Sequence, residues 1–163
     1  FTFQQTGDVL HAEELLRREG IAVEVMGPPA VLRTGCDMVL VCSAVEEPRI
    51  RKVLAEGHVL PEHVYPVSPD LLDPVSLFQV KDFGSWFMVR AANMKITVAW
   101  ETGTICNVSG GGCPDVPYLA ECITGQSVAT CEEPRLKGQT LCSYALQKAF
   151  MEARRLWLNA NGS

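Results

Sequence analysis

Gly7-Asp-Val-Leu-His-Ala-Glu-Glu-Leu-Leu-Arg-Arg-Glu-Gly20, followed at once by Ile21-Ala-Val-Glu-Val-Met26, sets the reading of the first part of this chain. Val9, Leu10, Ala12, Leu15 and Leu16 recur near helical spacing, and Gly20 stands where a left-handed residue closes a helix most easily. The β-branched run that follows ends at Gly27-Pro28-Pro29 and reads as a strand. Working outward, residues 1–4 suit an edge strand. Residues 38–42 form another strand after the break at Thr34-Gly35. Ser43 with Glu46 has the form of a capping box for a second helix over 44–56, which Gly57 ends. A short strand at 63–67 completes the order β-α-β-β-α-β, which predicts a ferredoxin-like domain over residues 1–68 with two helices on one face of a four-stranded sheet.

Residues 68–74 hold Pro69 and Pro74 among small and acidic side chains and read as a linker. Beyond it, 77–80, 86–91 and 95–100 are rich in β-branched and aromatic residues, with Ala92-Asn93 as a turn, and predict a small sheet. Residues 102–112 are polar and glycine-rich, and Cys106 and Cys113 flank a loop. Cys113-Pro114 is expected to open a helix reaching about Thr124, a loop spans 126–139, and Leu141, Ala145, Ala149, Ala153 and Leu156 trace one face of a last helix over 140–157. The fold class expected is therefore α+β. A ferredoxin-like domain precedes a cysteine-rich domain over 75–158, built from a small sheet and two helices.

Composition excludes several functions. Fourteen basic against nineteen acidic side chains in 163 residues give a formal charge of −5. Such a chain has no broad positive surface to displace counterions from nucleic acid. No apolar run approaches the roughly 20 residues that cross a bilayer, and residues 1–7 lack the plan of a secretory signal. Cytoplasmic location is the expectation, with no membrane or nucleic-acid partner.

Seven cysteines is an odd number and more than packing requires. Without secretory context they read as metal ligands, redox thiols or sulfur carriers rather than as a disulfide framework. Five crowd the second half. Cys106, Cys113, Cys131 and Cys142 lie in loops or at helix starts and could converge on one metal, with Cys122 as a substitute for one of the four. Four thiolates suit an iron–sulfur cluster, 4Fe–4S by type. Proline after Cys113 and the backbone N–H groups of Gly110, Gly111 and Gly112 favour this over zinc, whose sites announce themselves through C-x₂₋₄-C pairs missing here. Thiol chemistry without metal centres on Cys113, where a helix N-terminus would stabilise thiolate able to carry a persulfide. Asp115 would oppose that charge unless it points away. The same glycines could instead cradle a phosphate, though they match no nucleotide fingerprint. His11, His58 and His63 have no catalytic partners in sequence and read as surface residues. Trp100 precedes the cysteine region and could shield it from water.

The helix from Asp8 to Gly20, the Ile21 strand, the proline pair at 28 and 29, and Arg33-Thr-Gly-Cys-Asp37 leading into residues 38–41 resemble a small family of selenium/sulfur carrier-like proteins of unknown function. The resemblance covers about 65 residues and implies that Cys36 accepts sulfur or selenium on a compact α/β fold. Family members tend to read Cys-Gly where this chain has Cys36-Asp37. The run Cys113-Pro114-Asp115-Val116-Pro117 resembles, with one extra residue, sulfur carriers whose reactive cysteine begins a helix as Cys-Pro-x-Pro. It implies that thiolate chemistry is feasible at Cys113.

The expectation drawn from these residues is an accessory of anaerobic-type metabolism rather than an independent enzyme. It would bind an iron–sulfur cluster and deliver electrons or sulfur to a partner enzyme. The alternatives are a sulfur or selenium carrier using Cys113 or Cys36, and a structural module that binds a partner protein. A homo-oligomer is a further possibility.

Overall fold

The computed structural model describes residues 1–32, 38–67 and 74–162. The chain is mixed α/β and divides into two units, Phe1–Leu77 and Phe78–Ser163.

In the first unit α1 (Thr6–Arg18) and α2 (Glu47–Glu56) accompany a two-stranded antiparallel sheet of β1 (Val23–Met26) and β2 (Val39–Cys42). The apolar stripe read from the sequence is the one that packs. Val9, Ala12 and Leu16 of α1 and Ile50 and Leu54 of α2 are fully buried with Phe3, each large side chain contributing about 1.5–3 kcal/mol of transfer free energy. Gly20 ends α1 with φ +68, and the N–H groups of Gly20 and Ile21 donate to Arg17 O and Leu16 O, which uses carbonyls the helix leaves open.

Two expectations for this unit are revised. The segments at 1–4 and 63–67 do not form regular strands. They meet through an isolated antiparallel bridge between Thr2 and His63, while Phe1 and Leu40 exchange backbone hydrogen bonds of 2.9 and 3.1 Å. Nor does Ser43 make a capping box. A 3₁₀ turn over Ala44–Glu46 precedes α2, and the Ser43 side chain makes no cap bond. Reciprocal capping needs one α-helical turn between its partners; the 3₁₀ turn denies it, and Glu46 pairs with Arg49 instead.

The second unit is an antiparallel meander of four strands in the order β3 (Phe78–Asp82), β4 (Trp86–Ala91), β5 (Met94–Ala99) and β6 (Ile105–Gly110). Strict alternation places Phe87, Val89 and Ala91 of β4 and Met94, Ile96 and Val98 of β5 on one buried face. Over that face lies α4 (Leu141–Asn161), whose Ala145, Leu146, Ala149, Phe150 and Ala153 are buried. The small alanines let the helix axis approach the sheet, and Leu146 and Phe150 fill the space between. The fourth strand corrects the reading of a loop between Cys106 and Cys113, since β6 runs on to Gly110. Its exposed Cys106 and Asn107 and its glycine end hide the strand pattern, but its backbone continues the ladder from Met94↔Gly110 to Val98↔Ile105. Among the described residues no helix is long and apolar enough to cross a membrane.

Candidate functional site

The two chain segments that matter most are the end of β6 and the start of α4. Gly110 and Gly111 both have positive φ, +93 and +72, a conformation that side chains oppose. They fold the chain back over the β4–β5 turn, where Gly111 N–H donates to Asn93 O at 3.1 Å. A methyl group at Gly111 would stand 3.0 Å from Cys142 Sγ and 2.6 Å from Met94 Sδ, so the glycine is what lets the bend lie against that sulfur.

Helix α3 (Val116–Ile123) begins three residues after Cys113, not at it. Pro114 and Asp115 form a turn in which Cys113 O accepts from Val116 N–H. The cysteine in a helix first turn is Cys142, in the second position of α4, whose N-cap Thr140 accepts from Ser143 N–H through its hydroxyl. Thr140 Oγ1 also donates to Asp115 Oδ1 at 2.7 Å. Asp115 is thereby engaged in tying the two helix starts together.

Around Cys142 Sγ converge the Cys113 thiol, the backbone N–H groups of Gly112 and Cys113, and the Asn93 side-chain amide at 3.9 Å. Cys142 is 4% exposed, and Cys113 is half-buried. Burial alone would push the Cys142 thiol up. The hydrogen bonds from Cys113, Gly112 and Asn93 outweigh it and hold the thiol below the ordinary cysteine range, because each favours the anion. The start of α4 adds its positive dipole end.

The sign of the pH dependence follows. A thiol whose folded pKa lies below its unfolded value, about 8.5, stabilises the fold fully above that value, and the contribution is lost as pH falls through the folded pKa. Comparing wild type with Cys142→Ser, the stability difference is expected to be largest at alkaline pH and to shrink on acidification. Ultraviolet thiolate absorbance should persist below the ordinary cysteine range in wild type and be missing there in the variant. Identical thiolate titrations in the two proteins would remove the site as described.

The other cysteines stand apart. Cys106 is exposed on β6 and donates to Thr104 O. Cys131 is buried, its thiol bonded to Glu132 O and pushed up chiefly by burial. Cys122 is hydrogen-bonded with Tyr118, which raises the Tyr118 hydroxyl. Cys42 lines a cavity of about 440 Å³ in the first unit with Leu40, Glu47 and Tyr65, and burial raises its thiol. Cys36 lies outside the described residues. Of the four expected ligands, the structure brings together Cys113 and Cys142; among the described residues no three His, Cys, Asp or Glu side chains are grouped to hold a metal ion.

Trp100 does not shield the pair. It follows β5 at the end opposite Asn93, stacks on Phe87 with ring centroids 4.0 Å apart, and donates to Asp82. Asn93 is the site residue that sequence reasoning used only as a turn former. Its signal was its place in a two-residue turn, which exposes a side-chain amide to whatever packs on the hairpin end.

Residues 77–161 match a family described as a domain of unknown function, DUF8182, and residues 1–66 match the Se/S carrier protein-like family. An uncharacterized protein of Methanocaldococcus jannaschii, MJ0011, is 35% identical over 158 residues, which cover 95% of this chain and 79% of that protein. No solved structure matches the chain. With its second unit matched over nearly its whole length and a relative aligned through both units, the chain belongs to the DUF8182 family, with a Se/S carrier protein-like domain ahead of it.

Proposed function

We propose that this protein is a thiol-based carrier of sulfane sulfur or selenium, with Cys113 as the thiol that receives the cargo. The observation that carries this reading is the packing of the Cys113 bend on Cys142 at the start of α4, where a methyl at Gly111 would stand 3.0 Å from Cys142 Sγ and Thr140 is bonded to Asp115 at 2.7 Å. The Se/S carrier protein-like match of the first unit supports the same class of chemistry. Access assigns the roles: Cys142 is almost wholly covered, whereas Cys113 is half-exposed beside it and can be reached by a donor. As Cys113 attacks, its proton passes along the existing hydrogen bond to the Cys142 thiolate. The Cys113 sulfur bonds to the outer sulfur of the donor persulfide, and the donor leaves as a thiolate. Atoms and electrons balance without an added oxidant.

A carrier needs a partner protein that loads it and another that unloads it. The first unit, two helices with the two-stranded β1–β2 sheet, is the part that matches the Se/S carrier protein-like family. That unit is the candidate docking module, and Cys36 is a second place where cargo could rest. The iron–sulfur reading is left with cysteine number as its support.

The test is mass spectrometry of reduced protein after incubation with glutathione persulfide. Wild type is expected to take up one sulfur atom, found on the Cys113 peptide or released from it as sulfide, and Cys113→Ser to take up none. A wild-type chain that neither gains sulfur nor releases it as sulfide, or stoichiometric iron in protein purified without oxygen, would overturn the reading.

A further inference from the structure

Cys142 is more than a proton acceptor for Cys113. The bend that carries Cys113 packs on the start of α4, with a methyl at Gly111 only 3.0 Å from Cys142 Sγ and Thr140 bonded to Asp115 at 2.7 Å, and the supports of the two cysteines differ. Cys142 is fixed, in the first turn of a 21-residue helix whose N-cap is bonded to Asp115 and Ser143. Cys113 follows Gly112, which has open space around it and a negative φ. Cys142 is thus held by its helix, while the residue before Cys113 leaves the space beside it open. Asn93 and the N–H groups of Gly112 and Cys113 favour the anion of the fixed sulfur.

We infer that Cys142 is an internal resolving thiolate, which expels the cargo from Cys113 as hydrosulfide, or hydroselenide for selenium, and closes a Cys113–Cys142 disulfide. The step rests on the carrier reading above. Cys142, once it has passed the proton taken from Cys113 to the departing donor thiolate or to water, attacks as S⁻ the inner sulfur of the Cys113 persulfide, the S–S bond to the outer sulfur breaks, and HS⁻ leaves with the electron pair. The sulfane sulfur is reduced by two electrons and the two cysteines are oxidised to the disulfide. A small thiol or a dithiol protein then reduces the disulfide and resets the carrier. Release in this form sends cargo to an enzyme that consumes sulfide or selenide, rather than to one that accepts a persulfide. It also makes delivery dependent on thiol supply.

The experiment loads wild type, Cys142→Ser and Cys113→Ser with inorganic polysulfide, removes the excess, and follows free sulfide together with non-reducing peptide maps. Wild type is expected to release sulfide without added thiol and to accumulate the Cys113–Cys142 disulfide. Cys142→Ser, which also lacks the proton acceptor for Cys113, should load more slowly, but once loaded should hold its sulfur on Cys113 and release it on the order of a hundredfold more slowly than wild type, because the intramolecular attack is lost. Addition of dithiothreitol should restore release from that variant. Equal release from wild type and Cys142→Ser, or a wild-type map in which the extra sulfur sits on Cys142 with no disulfide, overturns the inference while leaving the carrier reading intact. Loading of neither wild type nor Cys142→Ser fails the carrier reading itself.

Discussion

Phe150→Ala is expected to lower the unfolding free energy of the second unit by about 3–5 kcal/mol, the range for truncating a fully buried aromatic side chain. Phe150 has no solvent exposure and sits on the face of α4 that covers β4 and β5. Its neighbours on that face, Ala145, Ala149 and Ala153, are too small to move into the space it would leave. The Arg154 guanidinium, 4.5 Å from the Phe150 ring centre, would lose its aromatic partner too, while keeping its bond to Val128 O. Urea unfolding monitored by tryptophan fluorescence measures the effect, since Trp100 and Trp157 both belong to this unit and are bonded to each other. Met151→Ala, one residue along but half-exposed, serves as the comparison and should change stability little. Equal stability of the two variants would mean that α4 does not bury the face described.

The helices and most strands were legible because their signals are local. The α1 stripe, the Gly20 stop, the Thr140 start of α4 and the alternation in β4 and β5 each need only a few consecutive residues, and each is found in the structure within a residue or two. What failed depended on distant chain. β6 carries polar residues and glycine because its outer face is exposed, so only its ladder with β5 marks it as a strand. Residues 1–4 are extended, yet their pairing is decided by Leu40 and His63.

The candidate site shows the same division. That cysteines in the second half matter was visible from their crowding, and the glycine run was recognised as a source of N–H groups near sulfur. Which two sulfurs meet was not, since 29 positions separate Cys113 from Cys142 in the sequence, and only the docking of the β6–α3 bend on the start of α4 joins them. The thiolate-stabilising helix start moved from Cys113 to Cys142 for a related reason. Pro114 and Asp115 form a turn before α3, and Asp115 is drawn to Thr140 rather than to the thiol.

Gly110→Ala is expected to cost about 2–4 kcal/mol and to dismantle the thiol pair, a larger effect than that of any other single methyl group added to the bend. Gly110 has φ +93, and a Cβ there would lie 1.9 Å from Asn93 O. That oxygen is backbone in a tight turn, beside Ala92 at φ +50, and cannot swing aside as a side chain would. Relief requires the bend to lift from the β4–β5 turn. Lifting it breaks the Gly111 N–H bond to Asn93 O and withdraws the Gly112 and Cys113 N–H groups from Cys142 Sγ. Stability and thiol chemistry should therefore fall together: the Cys142 thiol rises toward the ordinary cysteine range, and its thiolate fraction at neutral pH drops on the order of tenfold for each unit of that rise. Gly112→Ala supplies the contrast, because the added methyl meets open space at a negative φ; it should fold as wild type and keep the thiolate. Thermal unfolding and ultraviolet thiolate titration of the two variants decide the matter. If Gly110→Ala retains both stability and a depressed thiol pKa, the bend does not hold the sulfur in the way the geometry requires.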